Sequence, residues 1–194
     1  LAELRALGVP FWLAGGFGRS GKLHEALEDG AAGIQAGTAF AFSRESGLRD
    51  DIKATVIEQA VAGTASVFSD PRVSPTGFPF KVVQLQGTWS EDEVYQARQT
   101  VCDMGYLREV YAMPDGRLGY RCAAEPVNSY IAKGGDPQDT VGRKCLCNAL
   151  LANIGHAQVR DNGATELPLV TAGDDLNAIA GFLPQDARSY SAAD

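Results

Sequence analysis

Two short apolar runs, each finishing in glycine, constrain this chain more than any other feature: "VPFWLAGGFG" (residues 9–18) and "GIQAGTAFAF" (residues 33–42). Between them Ser20 and Gly21 lead into "KLHEALEDG", where Leu23, Ala26 and Leu27 recur at helical spacing and Gly30 stops the pattern. A run with no polar alternation suits a strand buried on both faces of a parallel sheet, and residues 9–14 are read that way. The second strand starts at residues 34–36. Strand, helix and strand within about thirty residues make a βαβ unit, whose crossover is expected to be right-handed.

The glycines follow from what such a unit can do. A strand that ends in glycine and feeds a helix brings bare backbone N–H groups up to an anion. Gly15, Gly16 and Gly18 supply this after the first strand, and Gly37 with the Thr38 hydroxyl supplies it after the second. Two such corners on adjacent parallel strands open on one sheet edge and converge on a single phosphate, as after strands seven and eight of a (β/α)8 barrel. Glycines also end strands for steric reasons alone; the paired spacing favours the phosphate.

Further along, residues 46–62 are expected to be helical, with Leu48, Ile52, Val56 and Ala60 on one face. "VFSDPRVSPTGFPF" reads as an irregular crossing, and residues 81–85 as a strand. Ser90 and Glu93 form a capping box, bracketed by Trp89 and Val94 as a hydrophobic staple, for a helix running to Met104. "LREVYAMPDGRLGYRC" is a hairpin turned on Pro114, Asp115 and Gly116. Helices are then expected after Pro126, over residues 141–154 and over residues 174–183, with residues 184–194 as a loose tail. At the other end, Leu1, Leu4 and Leu7 share a helical face that Gly8 stops; a chain opening inside a helix is expected to be the C-terminal piece of something longer.

Composition narrows the function classes. The formal net charge is −7 with no dense Lys/Arg block, which argues against a nucleic-acid surface. No apolar stretch approaches the ~20 residues of a membrane span, and nothing reads as a secretion signal, so a cytoplasmic protein is expected. The four cysteines, Cys102, Cys122, Cys145 and Cys147, suit a reduced compartment and give no disulfide framework.

"PFWLAGGFG", "HEALEDGAAGIQAGTAFAF" and "ESGL" resemble the closing strands of the nitronate monooxygenase (2-nitropropane dioxygenase) family of FMN-dependent barrel enzymes. "DPRVSPTGFPFKVV", "CLCNALLANIG" and "LVTAGDDL" are similar, in order, to the extended tail of bacterial members. The resemblance implies an α/β fold: residues 1–63 as the last two strands and helices of a (β/α)8 TIM barrel, and residues 64–194 as an α+β extension with a hairpin and short helices. It implies an FMN phosphate held by the backbone at Gly15, Gly16, Gly37 and Thr38, with Ala14 and Gln35 nearby. It further implies oxidation of alkyl nitronates by O2 to a carbonyl compound and nitrite, the flavin carrying the redox chemistry. The alternatives are a flavin-dependent enoyl reductase of the same barrel type and a non-catalytic phosphate-binding or interaction domain.

The family's catalytic histidine, in a Gly-Gly-His motif, has no counterpart. His24 and His156 are the only histidines, both read as ordinary surface residues, and no catalytic residue is assigned. The isolated βα pair is expected to bind FMN poorly alone. Cys145-x-Cys147 with Cys102 and Cys122 could ligate zinc or an iron–sulfur cluster, but on a helix positions two apart diverge, so plain thiols are preferred and no metal is assigned. Lys81 could reach a phosphate or be solvated, and Arg121 with Glu125 could form an ion pair. Tyr106, Tyr111 and Tyr120 read as hairpin packing, and Asp174 and Asp175 as caps of the last helix.

Overall fold

Three two-stranded sheets, joined by short helices, make up the α/β architecture of a computed structural model that describes residues 1–193. The chain divides into two compact units: Leu1–Val67 together with the chain from Ala172 onward, and Phe68–Thr171. The first unit is therefore discontinuous. The stretch from Ala172 onward, assigned from the sequence to the extension, belongs with the βαβ unit.

In the first unit, α1 (Ala2–Ala6) buries none of its residues, so the leucine face formed by Leu1, Leu4 and Leu7 stands exposed. β1 (Trp12–Ala14), α2 (Lys22–Glu28) and β2 (Gly33–Gln35) form the expected βαβ unit. The strands pair in parallel with Trp12↔Gly33, Leu13↔Ile34 and Ala14↔Gln35. α2 ends in a Schellman motif, in which the Ala31 N–H reaches Ala26 O and the Gly30 N–H reaches Leu27 O, both at 2.9 Å. Ala26 is the one buried residue of α2.

β1 departs from the expectation of a strand covered on both faces: it is three residues long and Trp12 is 60% exposed. The sheet stops at two strands, so the apolar run has no layer to sink into. Its indole instead lies over the partner strand, where a Cβ at Gly33 would come within 3.0 Å of the ring.

α3 (Thr38–Ala41) is a single turn absent from the sequence reading. α4 (Asp50–Val61) starts four residues later than expected and buries Ile52, Val56, Ile57 and Ala60, with Lys53 laid among them. The Lys53 ammonium reaches Arg44 O at 3.2 Å and Asp50 Oδ1 at 3.0 Å, so its stem fills core space while its charge stays paired. A 3-10 helix over Leu176–Phe182 packs on α4 through Leu176 and Ile179.

The closing segment is not loose. Tyr190 is 2% exposed, its hydroxyl donates to Ala39 O at 2.6 Å, and its carbonyl accepts from Arg44 N–H at 2.9 Å. Ser191 Oγ and the Ala192 N–H both donate to the Glu45 carboxylate, at 2.6 and 2.8 Å. One buried aromatic and one carboxylate anchor a stretch whose small polar composition suggested a free end.

Around the second unit, β3 (Val67–Asp70) pairs with β4 (Phe80–Val83), which corrects the reading of residues 67–70 as irregular. α5 (Asp92–Gln96) is five residues long, with Glu91 as N-cap and no side-chain cap. The Ser90 hydroxyl is engaged elsewhere: it accepts from Leu85 N–H at 3.1 Å and donates to Leu85 O at 3.0 Å, closing the preceding turn. The capping box does not form, yet Trp89 and Val94 still pack in one cluster with Val73, Val82, Leu146, Ala149 and Leu169.

The hairpin stands as read: β5 (Glu109–Ala112) pairs antiparallel with β6 (Leu118–Arg121). Its turn is closed by Met113 N–H to Arg117 O at 2.8 Å and Gly116 N–H to Met113 O at 2.9 Å. Tyr111 lies over Gly119, its register partner. α6 (Val127–Ala132) follows Pro126.

A 3-10 turn over Pro137–Thr140 precedes α7 (Leu146–Asn153), which begins five residues after the expected start. Residues before it are held extended. Lys144 N–H bonds Val73 O at 2.9 Å, and its buried ammonium donates to Trp89 O at 2.8 Å.

Candidate functional site

The two glycine corners of the βαβ unit line one cavity of about 280 Å³. All six residues implied as cofactor contacts (Ala14, Gly15, Gly16, Gln35, Gly37 and Thr38) contribute to its wall. The strand register explains why. Ala14 pairs with Gln35 at the end of the ladder, so Gly16 and Gly37 leave the sheet side by side at one edge.

The first corner needs glycine. Gly15 and Gly16 have φ of +77° and +83°, where an L side chain is strained. The spaces their Cβ atoms would fill are open at Gly15 and lie 3.8 Å from Arg19 Nη2 at Gly16. Gly18 answers a different need: a Cβ there would sit 3.3 Å from Ala36 Cβ, so any larger residue would push the two corners apart by a few tenths of an ångström.

At the second corner, Gly37 O accepts from Ala41 N–H at 2.9 Å, which turns the chain into α3. Thr38 Oγ1 accepts from the Gly173 N–H at 2.8 Å, so its own O–H stays available as a donor toward the cavity. Below the wall, the Tyr190 hydroxyl holds Ala39 O, and burial pushes that phenol up to about 12.

Two wall residues from the far end of the chain, Gly173 and Asp175, and one cation beside the wall escaped the sequence reading as parts of this site. Arg19 does not line the cavity but follows the first glycine corner directly, with Nη2 3.8 Å from the position a Gly16 Cβ would take, and could have been found as the cation next to it in sequence. Gly173 is 135 residues from Thr38, and no local pattern announces that contact. Asp175 was read as a cap; it sits at the N-cap of the 3-10 helix but makes no side-chain cap bond, and it faces the cavity. Its side chain is 9% exposed, and Oδ2 lies 3.9 Å from Arg19 Nε. The wall thus combines backbone donors, a hydroxyl and one carboxylate acceptor, with the Arg19 guanidinium beside that carboxylate.

The remaining candidates lie elsewhere. His24 is exposed on α2 with Nε2 at 3.1 Å from Glu28 Oε1, and His156 is exposed beyond α7. Lys81 is on β4 in the second unit. Arg121 and Glu125 do not pair with each other. Arg121 Nε takes Glu109 Oε1 at 2.6 Å, because β5 places that carboxylate directly across the ladder, while Glu125 takes Lys133 Nζ at 2.7 Å. No helix among the described residues is long and apolar enough to cross a membrane.

No family model matches the chain, and neither a curated protein nor a solved structure matches it.

Proposed function

We propose that the chain supplies the phosphate-binding corner of an FMN-dependent oxidoreductase of the nitronate monooxygenase type, as the closing βα units of a (β/α)8 barrel. The observation that carries this reading is the convergence of two glycine corners, from adjacent parallel strands, on one cavity. Phosphate recognition by such corners is a recurrent use of parallel βα units. The exposed apolar strand β1 supports a larger sheet around it, since a two-stranded parallel sheet is rarely left uncovered.

The chemistry of the wall suits a phosphorylated polyol better than a bare anion. Backbone amides, the Thr38 hydroxyl and Arg19 favour the phosphate. Asp175 alone would repel a dianion, but a carboxylate accepts well from a ribityl hydroxyl, and Arg19 beside it offsets its charge. When bound, FMN supplies the electron transfer of nitronate oxidation. The residues here would bind and orient its tail, Thr38 and the neighbouring Arg19 offering donors to a phosphate and Asp175 an acceptor to a polyol hydroxyl. No histidine lines the cavity among the described residues, and no proton-transfer step is assigned to this chain.

That same observation favours the second reading, a purely phosphate-binding domain. The two share a first test. Amide chemical shifts of Gly15, Gly16, Gly37 and Thr38 are followed while the chain is titrated with FMN and, separately, with riboflavin. Selective shifts with FMN, weak in affinity, support the phosphate corner; equal shifts with both flavins, or none with FMN, overturn it. Nitrite release from an alkyl nitronate by the flavin-loaded full-length protein separates the enzyme from the binding domain.

A further inference from the structure

A second cavity, of about 300 Å³, lies wholly within the second unit. Arg72, Arg98, Arg143 and Lys144 line it, against two carboxylates, Asp70 and Asp92. A wall with cations in excess stands out in a chain whose formal net charge is −7. Three stretches of chain assemble it: the end of β3 with the turn after it, α5 with the residues that follow, and the extended segment before α7.

What each cation already holds decides what is left for a ligand. Arg98 pairs with Glu166, and Lys144 with Asp92 at 2.7 Å and with Trp89 O at 2.8 Å. Arg143 has no carboxylate partner among the described residues. Its Nη1 donates to the carbonyls of Pro71, Arg72 and Ser74 at 3.0, 3.2 and 2.7 Å, and its Nε to Asp139 O at 2.9 Å. Backbone carbonyls fix this guanidinium in place without cancelling its charge. The Arg72 side chain is 66% exposed, and its Nε stands 3.6 Å from Asp70 Oδ1, too far for a hydrogen bond. Its stem lies against Gly142, where a Cβ would come 3.3 Å from Arg72 Cβ, and its carbonyl is held by Arg143. The two guanidinium-bearing side chains are thus rooted side by side on the cavity wall.

Two further donors on the wall lack acceptors. The Arg98 side chain is 3% exposed, and its Nη1 is buried with no hydrogen-bond partner among the described residues. A charged donor left in that state is costly, and it calls for an acceptor from outside the chain. The Tyr95 hydroxyl accepts from Cys145 N–H at 2.8 Å, so its own proton stays available to donate. Burial pushes that phenol up to about 12, which keeps the proton in place.

We propose that this cavity binds a small phosphate monoester, with Arg72 and Arg143 as the forks on its phosphoryl oxygens. Two guanidinium forks from separate stretches suit a tetrahedral group with oxygens in several directions, whereas a planar carboxylate is satisfied by one. Lys144 adds a charge that the exposed Asp92 offsets only weakly. Gln96 and Thr100 put an amide and a hydroxyl on the same wall for the organic part. The volume is at the small end for ligand sites, so that organic part is short. The site shares no residue with the glycine corners, and neither assignment depends on the other.

The test uses the whole chain, with amide and arginine Nε–H chemical shifts followed at constant ionic strength. Glycerol phosphate, inorganic phosphate and lactate are the probes. Glycerol phosphate should give saturable shifts at the Gly142, Arg143 and Lys144 amides and at the Arg72 Nε–H, with inorganic phosphate weaker and lactate without effect. The Gly16 and Gly37 amides report the glycine corners separately in the same spectra. Arg72→Ala, at an exposed side chain, should weaken glycerol phosphate binding at least about 10-fold while leaving Tm unchanged. Absence of a saturable shift at residues 142–144 overturns the proposal, as do equal shifts with lactate and wild-type affinity in Arg72→Ala. Inorganic phosphate binding as tightly as the ester also overturns it, in favour of a site for the free ion.

Discussion

Arg98 and Glu166 form a two-point ion pair in the second unit, with Nε–Oε1 at 2.6 Å, Nη2–Oε2 at 3.0 Å and side chains only 3% and 1% exposed. Glu166 also accepts from Trp89 Nε1 at 2.8 Å and from Arg160 Nη2 at 2.7 Å. One carboxylate therefore satisfies three donors from separate segments, in a position where any left alone is costly.

Glu166→Ala is expected to destabilise the second unit by about 3–5 kcal/mol, because Arg98 is left buried and uncompensated. Urea unfolding followed by Trp89 emission measures this. A loss below about 1 kcal/mol would mean that water or a neighbouring group replaces the carboxylate.

Tyr190→Phe removes one buried hydrogen bond, to Ala39 O, and should cost about 1 kcal/mol. Tyr190→Ala removes the ring as well and should cost about 3–5 kcal/mol. Limited proteolysis near residue 184 is the second readout: cleavage should accelerate in Tyr190→Ala far more than in Tyr190→Phe.

Glu45 gives the closing segment an acid limit. The Ser191 hydroxyl first, and the Ala192 N–H second, lower its pKa from 4.5 to about 2. A depressed carboxylate stabilises above its unfolded value and loses that contribution as pH falls through the folded one. Protection of the Ala192 amide should therefore be complete above about 4.5 and vanish between there and about 2. Glu45→Gln should abolish this pH dependence, as read by amide exchange corrected for intrinsic rates.

At the cavity, Gly16→Ala forces a side chain into φ +83° and should destabilise the first unit by about 1–2 kcal/mol. Arg19→Ala should weaken FMN binding without that loss of stability, since Arg19 is half exposed and paired loosely with Asp175. Arg19→Lys should restore part of the affinity. Equal FMN affinity in Arg19→Ala and wild type would remove Arg19 from the phosphate.

The βαβ unit was legible because its signals are local: apolar runs, a helical stripe and glycine stops within one short window. The hairpin was legible for the same reason, since Pro114-Asp115-Gly116 dictates its own turn. Readings failed where a side chain was already engaged far along the chain. Ser90 looks like a cap, but Leu85 holds its hydroxyl; α7 looks longer, but Val73 and Trp89 hold Lys144 extended. The cavity was legible only in part. Its glycines are announced by the strands they end, whereas Gly173 and Asp175 reach it through tertiary folding that no local window records.

The discontinuity of the first unit sets an order of events on the ribosome. Gly173 bonds Thr38, Asn177 Nδ2 bonds Ala65 O at 3.0 Å, and Tyr190 seals Ala39, so residues 38–65 wait for partners more than a hundred positions later. Domains ordinarily mature from the N-terminus as synthesis proceeds. Here residues 68–171 hold their own core and can finish first, and the nascent βαβ pair stays unclosed until translation has passed Tyr190.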